Sequence, residues 1–101
     1  MSAKRLQRAE ALAVLKRHKE EFERVYGVTA LGVFGTAARD DATESSDVDV
    51  VLRMREPDLF SLVHIKETLQ LAFGRGVDVV HYRQRMNAYL KQRIDQEAVY
   101  V

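Results

Sequence analysis

Gly35 and Thr36 are followed, after ten intervening residues, by Asp47-Val48-Asp49, within a run that begins Gly32-Val33-Phe34-Gly35-Thr36-Ala37-Ala38-Arg39-Asp40 and closes Ser46-Asp47-Val48-Asp49-Val50-Val51. Glycine permits a sharp turn and lets the backbone approach an anion closely. The Thr36 hydroxyl and the N–H groups after it suit phosphate oxygens, and a helix starting near Ala37 would add its N-terminal dipole. Arg39 lies within reach of the same phosphates. The two aspartates are hard oxygen ligands of the kind a divalent cation takes. A nucleoside triphosphate fits such a site with its tail on the turn and its metals on Asp47 and Asp49.

Those carboxylates need a strand to hold them. Side chains alternate across a strand, so Asp47, Asp49 and Val51 share one face while Val48, Val50 and Leu52 share the other. The apolar set should pack on helices, and the aspartate set should open to solvent or ligand. Val77-Asp78-Val79-Val80 repeats the alternation, with Asp78 and Val80 on one face. If the two strands are neighbours, Asp78 becomes a third carboxylate on the open side of the sheet. Two carboxylates about 6.5 Å apart repel by roughly 2–3 kcal/mol at an effective dielectric near 20, a repulsion that bound cations reverse. Oxygen ligands with neither cysteine nor paired histidines select Mg²⁺ or Mn²⁺ over zinc. The expectation is a two-metal or a one-plus-one-metal site.

The elements that position this constellation follow from periodicity. Residues 3–26 read as an amphipathic helix with Ser2 as its N-cap, Ala9, Leu12, Leu15, Phe22 and Val25 as its apolar stripe, and Gly27 as its end. Thr29 to Phe34 is a β-rich run stopped by Gly35, and residues 37–46 form a short helical turn and then a polar loop. Val48 to Leu52 is the second strand. Pro57 suits the first turn of the next helix, whose stripe is Leu59, Leu62, Ile65, Leu69 and Phe73. Gly74 and Gly76 close it before the strand Val77 to Val80. Met86, Leu90, Ile94 and Ala98 mark a last helix, followed by Tyr100-Val101 as an extended tail. The order predicts an α/β (α+β) fold: one domain over residues 1–101, with a small mixed sheet and helices packed on one face.

Composition narrows the function classes. A 101-residue chain supports one modest core and leaves no room for a separate recognition domain. The net charge of +1 gives no support to nonspecific nucleic-acid binding. Residues 1–26 carry seven Lys/Arg against four Asp/Glu, whereas residues 27–60 carry three against seven, so the acidic surplus surrounds the motif. The absence of cysteine excludes disulfides, thiolate catalysis and cysteine-ligated zinc. The apolar run Ala11 to Leu15 is too short to span a bilayer, which makes a cytoplasmic protein the expectation. His18, His64 and His81 lack metal-spaced partners and read as structural. Lys4, Arg5 and Arg8 read as a solvated face, and Tyr82, Tyr89 and Tyr100 as packing or interface residues.

The run from Gly32 to Arg39 together with Ser46 to Val51 resembles the nucleotidyltransferase signature of the DNA polymerase β-like superfamily. At this length the chain is most similar to the minimal nucleotidyltransferases, the MntA-type antitoxins encoded beside HEPN-domain toxins. The resemblance spans nearly the whole chain. It implies a polymerase β palm-like fold, with Asp47 and Asp49 binding Mg²⁺, Asp78 as a third carboxylate near the attacking hydroxyl, and Gly35 and Thr36 holding the triphosphate. It further implies transfer of AMP from ATP to a hydroxyl (AMPylation), with a tyrosine of the partner toxin as acceptor in the antitoxin branch, and hence homo- or hetero-oligomers. Two positions depart from the pattern. Thr36 replaces the commoner serine, and Asp40 stands where glycine often follows Ala-Arg, so that a carboxylate there is expected to repel a triphosphate or to alter the turn. The rival reading is a noncatalytic antitoxin that acts by occlusion and keeps a vestigial site.

Overall fold

The computed structural model describes residues 5–101, which form α1 (Arg8–Tyr26), β1 (Val28–Phe34), α2 (Gly35–Ala38), β2 (Val48–Met54), α3 (Leu59–Phe73), β3 (Val77–His81), α4 (Ala88–Glu97) and β4 (Val99–Tyr100). The four strands make one mixed sheet in the order β3-β2-β1-β4. β1 pairs antiparallel with β2 and with β4, and β2 pairs parallel with β3. A parallel pair needs a crossover, and α3 supplies it.

The apolar faces of α1 and α3 cover one side of the sheet. Ala11, Leu15 and Phe22 of α1 and Ile65 and Leu69 of α3 are buried with Leu31, Val33, Val48, Val50 and Leu52. This is the single-faced packing expected from the strand phase. α4 departs from it: Ile94, with Leu90 and Ala98, packs on Phe34 and Val51 of the opposite side. Val51 shares the aspartate face and is fully buried rather than open. An apolar residue there needs cover, and α4 lies over it.

Local boundaries moved for identifiable reasons. The expected helix start at residues 3–4, the Ser2 cap and the Lys4 side chain lie outside the described residues. Residues 5–7 are not helical, and Gln7 is the N-cap, with its N–H donating to Glu10 Oε1 at 3.2 Å. Ala9 and Val25 are exposed, because the sheet-facing line of α1 runs through Ala11, Leu15 and Phe22. Asp58, not the first turn containing Pro57, caps α3, and Leu59 in the opening turn stays 73% exposed. The expected tail is the short edge strand β4, held as Val101 N–H donates to the Leu31 carbonyl at 2.9 Å. No helix among the described residues is long and apolar enough to cross a membrane.

Candidate active site

β1 and β2 run antiparallel with Phe34 opposite Asp49, so the chain leaves β1 directly beside that carboxylate. It leaves through Gly35, buried at φ +70°, which opens the single-turn helix α2. Left-handed backbone suits glycine, and here space demands it as well, since a Cβ on Gly35 would run into the Asp49 carboxylate. The phosphate-friendly turn and the half-buried Asp49 are thus in contact. Thr36 is half-buried behind Gly35, and its carbonyl accepts the Asp41 N–H at 2.8 Å.

The parallel register of β2 with β3 sets Asp49 directly beside Asp78. Asp47 is exposed one step before β2, and its carboxylate lies against Gly76, where any side chain would collide with it. Val48 N–H donates to the Gly76 carbonyl at 2.9 Å, tying the two segments together. Arg75 steadies the preceding loop by donating from Nη1 to the carbonyls of Thr43 at 2.8 Å and Ser46 at 3.2 Å.

Burial pushes the Asp49 carboxyl above its ordinary value, and the charge of Asp78 and then of Asp47 adds to the shift, while Arg93 and Arg39 oppose it. The three aspartates therefore share one end of the sheet and feel one another. Among the described residues they do not form a three-ligand cluster. All are hard oxygen donors, and a divalent cation beside Asp49 would favour its charged form against the upward shift. The donor set fits Mg²⁺ or Mn²⁺.

Arg39, though exposed, is ion-paired with two carboxylates. Its Nη1 meets Glu97 Oε1 at 3.0 Å, and its Nε lies 3.6 Å from Asp41. Glu97, at the end of α4, also accepts the Gly35 N–H at 3.0 Å and pairs with Arg93 at 3.6 Å. Sequence reasoning missed Glu97, Arg93, Arg75 and Gly76. Gly76, next to an aspartate-bearing strand, carried a signal of close approach; the charged residues of α4 carried none until the helix crossed to the site face.

Asp40 corrects an expectation. Its φ of 64° is left-handed backbone, which glycine takes most easily and which aspartate is one of the few other residues to tolerate. Its carboxylate does not face the turn: Oδ1 accepts the Arg8 N–H at 2.7 Å, capping α1 from a distance, and its carbonyl accepts from Arg5. Arg8 Nη1 donates to the Ala38 carbonyl at 3.2 Å. The expected solvated face of Arg5 and Arg8 instead fastens α1 to the segment after α2. His18, half-buried, bonds the Val14 carbonyl at 2.9 Å and stacks on Phe22, a structural role as expected.

A glycine turn thus lies on a half-buried aspartate, with a second aspartate in register on the neighbouring strand. The family model described as nucleotidyltransferase domain matches residues 15–101, and the chain belongs to that family, in its minimal (MNT) form. The protein adenylyltransferase MntA of Thermococcus cleftensis is 33% identical over 90 residues, covering 88% of this chain and 90% of that protein. A crystal structure of a toxin-antitoxin with AMP-PNP superposes with a TM-score of 0.68 at 16% identity, over 92% of this chain and 70% of the other. A tri-AMPylated HEPN toxin of Shewanella oneidensis in complex with MNT antitoxin gives a TM-score of 0.59 at 15% identity, over 92% and 66%. At those identities the two structures speak for the fold.

Proposed function

We propose that this enzyme transfers AMP from ATP to a hydroxyl of a partner protein, acting as the antitoxin of a HEPN-type toxin, with residues 1–101 as one minimal domain. The observation that carries the reading is the contact of the Gly35 turn with Asp49, itself in register with Asp78. On this reading it joins a phosphate-binding turn to the carboxylates that flank the transferring phosphate. The naming of the Thermococcus relative as a protein adenylyltransferase and the AMPylated toxin beside an MNT antitoxin support the same direction.

Asp47 and Asp49, with Asp78, are the residues that would hold Mg²⁺. When bound, such ions activate the attacking oxygen and stabilise charge on the transferring phosphoryl group and the departing pyrophosphate. Thr36 and the backbone around Gly35 bind the triphosphate tail, and Arg39 adds positive charge to it. Asp78, exposed like Asp47, faces the acceptor hydroxyl and orients it toward the α-phosphorus, taking part in removal of its proton. The new bond is P–O to the acceptor, the broken bond is P–O to pyrophosphate, and the hydroxyl proton leaves to base or solvent.

The test uses a HEPN toxin co-purified with this chain. With Mg²⁺ and ATP labelled at the α-phosphate the toxin becomes labelled, and with ATP labelled at the γ-phosphate it does not. Unlabelled toxin in both experiments contradicts transfer. Calorimetry of the chain with Mg-ATP then separates a vestigial site, which binds nothing, from a site that binds nucleotide and lacks its acceptor.

A further inference from the structure

One oxygen, Glu97 Oε1, accepts the Gly35 N–H at 3.0 Å and is ion-paired with Arg39 Nη1 at 3.0 Å and Arg93 Nη2 at 3.6 Å. The first of these is the backbone donor that the glycine turn offers to an anion. The other two are forked guanidiniums, which match phosphate as readily as carboxylate. Arg93 is not loosely placed, since it lies over the Phe34 ring at 5.7 Å, one residue before the turn, and its partner Glu97 sits one helical turn further along α4. The N–H and the two guanidiniums converge on one anion position, and a side chain of the protein fills it.

A triphosphate tail carries the same chemistry as the Glu97 carboxylate: charged oxygens that suit the N–H and both guanidiniums. Both cannot hold the Gly35 N–H together, and their like charges repel. We propose that Arg93 is a triphosphate-binding residue, and that Glu97 is an internal anion occupying that position until the nucleotide tail displaces it. This rests on the nucleotide-binding reading above and extends it to α4, an element outside the sequence motif. The prediction is that Arg93 serves the nucleotide itself and is not merely the counter-charge of Glu97.

A double-mutant cycle read by calorimetry with Mg-ATP, and with inorganic tripolyphosphate as a tail-only probe, decides this. Glu97→Gln keeps an acceptor for the Gly35 N–H but removes the charge, and should tighten both ligands by about fivefold. Arg93→Gln should weaken both by about tenfold, the loss expected for a charge-assisted contact. It should weaken them by a similar factor in the Glu97→Gln background, and Arg93→Lys should restore part of the affinity. If the Arg93→Gln effect disappears once Glu97 is neutral, Arg93 only balances Glu97 and the proposal is wrong. Equal affinity of wild type and Arg93→Gln overturns it too. Should Arg93→Gln not fold, Arg93→Lys carries the decision: loss of affinity for both ligands supports the proposal, and unchanged affinity refutes it. Wild-type protein that binds neither ligand overturns this proposal and the functional reading together. Binding without transfer to a toxin overturns only the latter.

Discussion

A carboxylate drawn half out of water beside two others is held against its own preference, and Asp49 is in that position. Burial is the largest influence on it, followed by the charge of Asp78, and both favour the protonated form. A raised folded-state value means that Asp49 contributes stability when protonated and that this contribution is lost as pH rises through the folded value. Asp49→Asn should therefore raise the thermal midpoint of the metal-free protein at neutral pH while abolishing transfer. The gain should vanish below the ordinary value of 3.8, where wild-type Asp49 is itself neutral. Thermal scans of the two proteins from pH 3 to 8 check the sign. Asp40 makes a separate residue-scale case. Asp40→Ala loses the bond to the Arg8 N–H and places an alanine at φ 64°, so it should destabilise by about 1–2 kcal/mol. Asp40→Gly keeps the backbone relaxed and should lose less, with nucleotide affinity unchanged because the carboxylate points to α1. Urea midpoints and calorimetry test the pair.

At the scale of elements, caps and crossings decide what the motif residues meet. Asn87 Oδ1 accepts the Leu90 N–H at 2.9 Å at the start of α4, and Asn87→Ala should lower stability by about 1 kcal/mol in urea unfolding. Asp58 caps α3, and its hydrogen bond from Ser61 and then those from the backbone hold its carboxyl below the ordinary range. Its stabilising effect is present above the unfolded value and fades as pH falls through the folded one. In acid titrations below pH 4, wild type should thus converge with Asp58→Asn. The strand phase of Asp47, Asp49 and Asp78 was readable from alternation alone, because a period of two admits only one partition of faces. The course of α4 was not. Leu90 and Ile94 mark an apolar stripe, but a stripe fits either side of a sheet. Only the buried state of Val51, an apolar residue on the aspartate face, reveals the choice. For the same reason Glu97 and Arg93 were invisible as site residues. Asp40 was legible as a departure, but its bond to the Arg8 N–H was not, since sequence gives a side chain's charge but not where left-handed backbone aims it.

On the scale of the whole molecule, one core on each side of the sheet divides the labour. α1 and α3 with the inner strand faces hold the chain together, while α4 closes the second side and brings Glu97 and Arg93 to the turn. Truncating Ile94, the buried anchor of α4, should cost about 2–5 kcal/mol and weaken nucleotide binding. Under the proposed function the acceptor is a hydroxyl of a partner protein, so the deciding assay is run on a complex. The direct measurement is the intact mass of a co-purified HEPN toxin after incubation with Mg-ATP and this chain, or with its Asp47→Asn or Asp49→Asn variant. The account predicts toxin heavier by whole adenylyl groups with the wild-type chain and unchanged with either variant. Toxin unmodified by wild type, or modified equally by all three, would contradict it.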